Sequence, residues 1–298
     1  MDYITEYFNY LANEKEVSDN TLKSYKLDIT QFQEYINKLN INITNVTIEH
    51  IEQYKTYMKQ EKRYTNRTRS RKLTAIKDFY TYISKKHNIS NPAKDIEFPP
   101  ISKRNPTYLT VEEAQKIVNA TKTQPEPYKS RDKLILLLFL TTGLRVSELT
   151  NIKVTDIDGN ILRVIGKGDK ERIVVLNRDV IKALKRYLKV RKDVSDYLFI
   201  SKFNRHMSVR SVQNVVEKYI KLAGLTKHLS AHSLRHTAAT FMLKGKKDIR
   251  TIQQVLGHSN IQTTQIYTHV DEDMLEDAAN ATLGMFDWFK DRKGCKSD

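Results

Sequence analysis

Histidines, an arginine and a tyrosine recur at close spacing in the last third of this chain. His232-Ser-Leu-Arg235-His236 is followed by Leu256-Gly257-His258-Ser259-Asn260 and then by Gln265-Ile266-Tyr267-Thr268-His269. Upstream stand Thr142-Gly143-Leu144-Arg145-Val146-Ser147-Glu148-Leu149 and the turn Gly166-Lys167-Gly168-Asp169-Lys170. A phosphodiester is a poor electrophile because its own charge repels nucleophiles, and cations that spread over its non-bridging oxygens remove that obstacle. Arg145, Arg235, Lys167, His232 and His258 are donors of this kind. Guanidinium forks suit two phosphate oxygens at once, so two arginines on separate helices can clamp one phosphate. A phenol beside them, Tyr267, can hold the phosphate as an ester that conserves bond energy for rejoining. The pattern points to cutting and rejoining of DNA.

Each residue also has a plainer reading. His232 and Arg235 are three apart, as are Arg145 and Glu148, so on helices each pair shares a face. Any one of them alone suits a surface ion pair, with Glu148 fixing a neighbouring arginine. Tyr267, between Ile261, Ile266 and Val270, suits the core of an amphipathic helix. Lys167 at a glycine-flanked tip is an ordinary solvated lysine or a mobile proton donor to a leaving 5′ oxygen. His232 and His236 have the i, i+4 spacing of zinc ligands. Against that reading, the glutamate of the metalloprotease helix is missing and Arg235 lies between them. We therefore expect no metal and no cofactor.

The elements that must position these groups fall into two blocks of a 298-residue chain carrying 51 Lys and Arg against 35 acids, a net charge of +16. That excess suggests a polyanionic partner and does not by itself separate DNA from RNA, from an anionic membrane or from plain solubility. One cysteine, Cys295, excludes an internal disulfide framework. The start lacks a secretory signal, and the longest apolar run, Leu134 to Leu140, is too short to span a bilayer. A cytoplasmic, nucleoid-associated protein is expected, with no membrane partner.

Residues 1–98 read as a four-helix domain. Helices are expected over about Ile4–Asn13, from Ser18 as N-cap to about Leu39, from Thr47 as cap, and from Thr65. Leu22, Tyr25, Leu27, Ile29, Phe32, Tyr35 and Ile36 form the expected apolar side of the second. Arg67, Arg69, Arg71 and Lys72 crowd the start of the fourth, where the helix dipole disfavours cations. That conflict suggests phosphate binding rather than a solvated helix end. Residues 99–107, rich in proline and basic groups, read as a linker.

Residues 108–298 read as a mainly helical α+β domain with a small antiparallel sheet. A capping box at Thr110–Glu113 opens a helix, and a buried helix over Arg131–Thr141 ends at Gly143. Ile161–Ile165 and Arg172–Leu176 form a hairpin, with a third strand expected at Tyr197–Ile200. Helices are expected over 179–190, 209–223, 233–244, 248–256, 261–269 and 274–290.

In these motifs the chain resembles the tyrosine recombinase family, the phage-type integrases, and especially its compact Xer-like members. The resemblance covers nearly the whole chain. It implies an N-terminal core-binding domain and a C-terminal catalytic domain. It implies further that Arg145, Lys167, His232, Arg235 and His258 activate the phosphate, that Tyr267 attacks it and that Glu148 supports them. No metal or nucleotide is implied. Each strand is cut to a 3′-phosphotyrosyl link and a free 5′ hydroxyl, and strands exchange through a Holliday junction. Partners are then double-stranded DNA with specific recombination sites and the chain itself, as a cyclic tetramer on two sites; an accessory or partner recombinase stays open. The tail with Leu275, Leu283, Met285, Phe286, Trp288 and Phe289 departs from housekeeping Xer proteins. This tilts the expectation toward an integrase or resolvase of a mobile element, with a host Xer recombinase resolving chromosome or plasmid dimers as the alternative. The same tail is expected to dock on a neighbouring protomer. A protein that occupies DNA sites without cutting them is the alternative of another class.

Overall fold

The computed structural model describes residues 2–101, 107–166, 171–201, 203 and 205–244. The chain divides into two compact units, Met1–Arg104 and Asn105–Asp298. The expected helices at 248–256, 261–269 and 274–290, and the apolar tail, lie outside the described residues.

In the first unit four helices pack around one core: α1 (Tyr3–Asn13), α2 (Asp19–Lys38), α3 (Ile48–Gln60) and α4 (Asn66–His87), with a short 3-10 turn at Ile43–Asn45. Side-chain caps set where they begin. The Ser18 hydroxyl accepts the Thr21 amide at 3.4 Å, and the Thr65 hydroxyl accepts the Thr68 amide at 3.3 Å. Helix α4 stops at Asn88, whose left-handed backbone (φ +53°) turns the chain away. Leu11, Phe32, Ile51, Tyr54, Leu73 and Phe79 are buried in the shared core.

The buried stripe of α2 differs from its apolar pattern. Its buried positions are Asp28, Ile29, Phe32 and Ile36, whereas Leu27 is exposed. The reason is an ion pair. Asp28 Oδ1 accepts from Lys72 Nζ at 2.9 Å, and Arg71 bonds to its other oxygen. Both side chains of the Asp28–Lys72 pair are almost fully enclosed, 1% and 3% exposed. Lys72 also donates to Gln31 and lies over the Tyr64 ring. A charge out of water must be matched this way, and the helix rotates to present Asp28 inward.

The second unit is built on α6 (Tyr128–Thr142), which is buried from Leu134 to Thr142 on every face because other elements surround it. Around it lie α5 (Val111–Asn119), α7 (Val146–Asn151), α8 (Arg178–Val190), α9 (Val209–Leu222) and α10 (Ala231–Lys244). The expected capping box is present: the Glu113 amide donates to the Thr110 hydroxyl and the Thr110 amide to the Glu113 carboxylate. A buried network ties α6 to α9, with Asp132 accepting from Arg131 Nε and from the Tyr219 hydroxyl at 2.8 Å each. Thr237 on α10 accepts the Leu109 amide at 3.0 Å, fastening the start of the unit to its last described helix.

The sheet has three antiparallel strands in the order β1 (Ile157–Asp158), β2 (Ile161–Ile165) and β3 (Glu171–Val175). The hairpin of β2 and β3 is as expected, but the third strand is not Tyr197–Ile200. That segment makes only isolated bridges, Tyr197 to Lys153 and Ile200 to His206. Its other partners are loop groups, such as the Ile152 carbonyl that accepts the Leu198 amide, and they offer no extended edge for a ladder. Mainly α with a small antiparallel sheet is therefore the observed architecture. Among the described residues no helix is long and apolar enough to cross a membrane.

Replacing Asp28 with Ala leaves Lys72 charged and enclosed without its acid. Unfolding of the variant in urea should show a loss of roughly 3–5 kcal/mol relative to the parent chain. A loss within 1 kcal/mol would mean that Lys72 escapes to solvent and that the pair does not set the rotation of α2.

Candidate active site

The end of α6 starts the site. Gly143 follows the last helical residue with φ +62°, a left-handed conformation that glycine adopts without the penalty of a side chain. Leu144 then turns into the core, fully buried, and Arg145 becomes the N-cap of α7. Three residues on, Glu148 reaches back. Its Oε2 accepts the Arg145 amide at 2.8 Å and its Oε1 accepts from the Arg145 guanidinium at 2.7 Å. The motif's Gly, Leu, Arg and Glu thus each have a local cause: a turn, an anchor, a cap and the acid that holds it.

Glu148 serves a second arginine. Arg172 on β3 donates to Oε2 at 2.7 Å. In the antiparallel register Arg172 lies opposite Val164, so both share the face that buries Val164 and Val174. An arginine on the core side of a strand must find an anion, and the only 2% exposed carboxylate of Glu148 supplies it. Burial by itself raises the Glu148 pKa. The Arg172 charge, the Arg145 amide and the Arg145 guanidinium outweigh it, and the carboxyl stays below its ordinary range.

Arg235 enters from α10. It is buried, and its guanidinium donates to the Gly143 carbonyl, the turn that ends α6. Burial first, and then the neighbouring charge of Arg145, pull its pKa down to about 10; Glu148 opposes this and Arg172 adds to it. Arg235 remains protonated at neutral pH. Three guanidinium groups therefore face one carboxylate, which leaves a net positive hollow with Arg145, 34% exposed, as its open member.

His232 lies one turn before Arg235 on the same helix. Its ring meets that of His236 edge-on, with centroids 4.6 Å apart. Burial, then His236 and Arg235, lower its pKa below 6.5, so it is neutral at pH 7, able to donate from one ring nitrogen and accept at the other. Among the described residues no group of three histidines, cysteines or acids is arranged to hold a metal ion.

Arg145, Glu148 and Arg235 are thus brought together, with His232 beside Arg235. Lys167, His258 and Tyr267 lie outside the described residues. Two supports escaped the sequence reading. One is Arg172, whose signal was an arginine alternating with valines on the inward face of a strand. The other is His206, whose Nε2 lies 2.7 Å from the Thr150 carbonyl and props α7; nothing in the sequence marked it.

The cluster near the start of α4 divides differently from its sequence. Arg67 is exposed, and Arg69 is half-buried with its guanidinium on Asn66 at 2.7 Å. Arg71 shares Asp28 while keeping 46% of its side chain exposed. Lys72 is a correction: enclosed with Asp28 and Gln31, it is a structural cation and does not face a phosphate.

With this arrangement in view, the comparison with known proteins is direct. Residues 107–274 match the phage integrase family, and residues 4–87 match the phage integrase N-terminal SAM-like domain. The chain belongs to the phage integrase family. It is a tyrosine recombinase of the Xer type, a site-specific DNA recombinase that cleaves and rejoins strands. It is 42% identical to the tyrosine recombinase XerC of Caldanaerobacter subterraneus subsp. tengcongensis, over 93% of this chain and 85% of that protein. Among solved structures it is similar to the XerH site-specific recombinase bound to palindromic difH substrate in a post-cleavage complex. That likeness has 26% identity and a TM-score of 0.68, over 87% of this chain and 79% of the other. The fold is shared with a lambda integrase (75-356) dimer bound to a COC' core site, at TM-score 0.72 and 19% identity, over 90% and 98% of the two chains.

Glu148 gives a pH test with a fixed sign. Its folded pKa lies below the unfolded value of 4.5, so its contribution to stability is complete above that pH and is lost as pH falls through the folded value. Glu148→Gln should lower stability at pH 7 by about 1–3 kcal/mol, because a charged acceptor for two arginines becomes neutral. It should also reduce the loss of stability below pH 4.5, followed by urea unfolding at a series of pH values. An unchanged acid limb would place the depressed carboxyl elsewhere.

Proposed function

We propose that this chain recombines specific DNA sites by covalent phosphotyrosine chemistry, with Arg145, Lys167, His232, Arg235 and His258 acting on the phosphate and Tyr267 attacking it. The observation that carries this reading is the convergence of Arg145 and Arg235 beside one buried carboxylate, from two helices far apart in sequence. Two guanidinium groups held at fixed positions suit the charge that develops on the non-bridging oxygens during attack. Neutral His232 adds a donor without further repulsion. Glu148 positions the arginines, and Arg172 holds Glu148. Side-chain cations take the place that a metal ion would have in stabilising that charge, so cleavage proceeds in EDTA.

The product of attack is a 3′-phosphotyrosyl link with a free 5′ hydroxyl, and exchange passes through a Holliday junction. Residues 1–98 grip the DNA as a core-binding domain, residues 99–107 link, and residues 108–298 catalyse. The chain assembles as a cyclic tetramer on two sites, with the tail passing to a neighbour; a lambda integrase tetramer bound to a Holliday junction shares its fold. The biological role we favour is that of a host recombinase resolving chromosome or plasmid dimers. The tail had tilted the expectation toward a mobile element. The names of relatives that match over nine-tenths of this chain, XerC and XerD, favour the host role instead. Work on DNA fits a protein of the cytoplasm associated with the nucleoid.

Tyr267→Phe should keep DNA binding and lose every covalent adduct on a nicked suicide substrate, since the ring remains and the nucleophilic oxygen is gone. Adducts that persist in the Phe variant would overturn the assignment of the nucleophile. Cleavage that stops in EDTA would overturn the metal-free mechanism.

For the N-terminal grip, Arg67→Ala and Arg69→Ala should each lower the log–log slope of DNA affinity against salt by about one. Lys72→Met should leave that slope unchanged once folding is verified by circular dichroism. Equal slopes for the parent and both arginine variants would show that this helix end does not touch phosphate.

A further inference from the structure

A second concentration of positive charge lies in the catalytic unit, at the opposite end of α6 from Gly143. There α6, α8 and the 3-10 turn Ala120–Thr123 enclose a cavity of about 230 Å³. Lys129 and Lys133 line it from α6, Lys182 and Arg186 from α8, and Lys122 from the turn. Each helix contributes its cations at i and i+4, one above the other on the same face. Like charges at that spacing destabilise a helix, and here two such pairs face each other across one hollow.

Among the described residues that line the cavity there are five cations and no carboxylate. Glu126 bonds to Arg186 at 3.1 Å and accepts the Ser130 amide at 3.2 Å. Asp179 acts on Lys133 from the start of α8. Neither carboxylate is part of the lining. Burial, then the charges of Lys122 and Arg186, lower the Lys133 pKa, and Asp179 opposes them. Hydroxyl and amide groups of Thr121, Ser130 and Asn119 share the lining. Local preference is violated on both helices at one place, and a multiply charged anion in the hollow would relieve it.

From this geometry we infer that the cavity between α6, α8 and the Ala120–Thr123 turn is a binding site for a compact oligophosphate, either inorganic or the phosphate chain of a nucleotide. The site is concave and small, which suits a chain of phosphates held by ammonium groups on several sides. It draws on none of the residues assigned to strand cleavage, so it stands or falls apart from that assignment. An occupied site would brace α6, whose far end carries Gly143 and the site arginines.

Calorimetric titration of the full-length chain with inorganic triphosphate tests the inference. Lys129→Met/Lys133→Met/Lys182→Met is compared with a charge-matched control, Lys38→Met/Lys59→Met/Lys85→Met, made on exposed lysines of the first unit. The cavity variant should bind triphosphate on the order of a hundredfold more weakly, a factor of about five per cation, and the control within twofold of the parent. Without ligand, the cavity variant should melt at or above the parent temperature, because like-charge repulsion has been removed. Titration with ATP separates the sources: tighter binding than triphosphate indicates a nucleotide, equal or weaker binding a free oligophosphate. Equal weakening in the cavity variant and the control would reduce the effect to net charge and overturn the site. So would triphosphate binding no tighter than sulfate with a loss of non-specific duplex binding in the cavity variant, which would make this face a DNA contact. A lowered melting temperature of the unliganded cavity variant would make these lysines structural and overturn it as well.

Discussion

One buried carboxylate organises the catalytic unit. Glu148 takes the amide and guanidinium of Arg145 on one side and the guanidinium of Arg172 on the other. A charge with 2% of its side chain exposed is tolerable only when its oxygens are satisfied by cations and amides. The requirement works in both directions. The sheet must bring Arg172 inward, α7 must start at Arg145, and the two must meet at one acid. Remove the acid and three guanidinium groups are left repelling one another, with only Arg145 substantially exposed to water.

The same device recurs in the first unit with different parts. Asp28 is buried on α2 and receives Lys72 and Arg71 from α4. In both units an acid fixes the relative rotation of two elements, because an unpaired buried charge is far more costly than a misplaced methyl group. The consequences for function differ. At Glu148 the cations remain partly open, with Arg145 34% exposed and able to meet a ligand. At Asp28 the lysine is enclosed and only the arginine keeps solvent access. Clusters of one acid and its cations therefore leave Arg145 open in one place and enclose Lys72 in the other.

Helix α6 holds the second unit's arrangement in place. Its enclosed apolar body cannot shift without opening the core around Leu136, Phe139 and Leu140. Its end at Gly143 is consequently a fixed point, and Arg235 hydrogen-bonds to that turn rather than to a mobile side chain. In the mechanism proposed, a guanidinium seated on a rigid carbonyl is oriented before substrate arrives, and preorganised donors of this kind need little rearrangement as charge develops on a phosphate.

Much of this was legible in the sequence because it rests on local rules. Helix starts follow from Ser18, Thr65 and Thr110, the end of α6 from Gly143, and the hairpin from alternating apolar residues around a glycine turn. The expectation that Arg145, Glu148, His232 and Arg235 belong together came from residue type, spacing and family resemblance, and the structure brings Arg145, Glu148 and Arg235 together with His232 on the same helix as Arg235. Tertiary structure alone decided the rest. That Leu27 is exposed and Asp28 buried depends on what α4 offers to α2, and periodicity within one helix carries no such information. That Lys72 is structural while Arg67 is exposed depends on which way one helix is turned, although both belong to the same basic run. The true third strand is Ile157–Asp158 and not Tyr197–Ile200, because a strand is defined by the edge it meets. Arg172 became part of the site because its strand's register faces it toward a carboxylate 24 residues earlier. Sequence determines what can be done within a few residues by capping, turning and periodicity; which charges meet across the fold is settled only when the elements pack, since burial creates the demand for a partner and packing selects it.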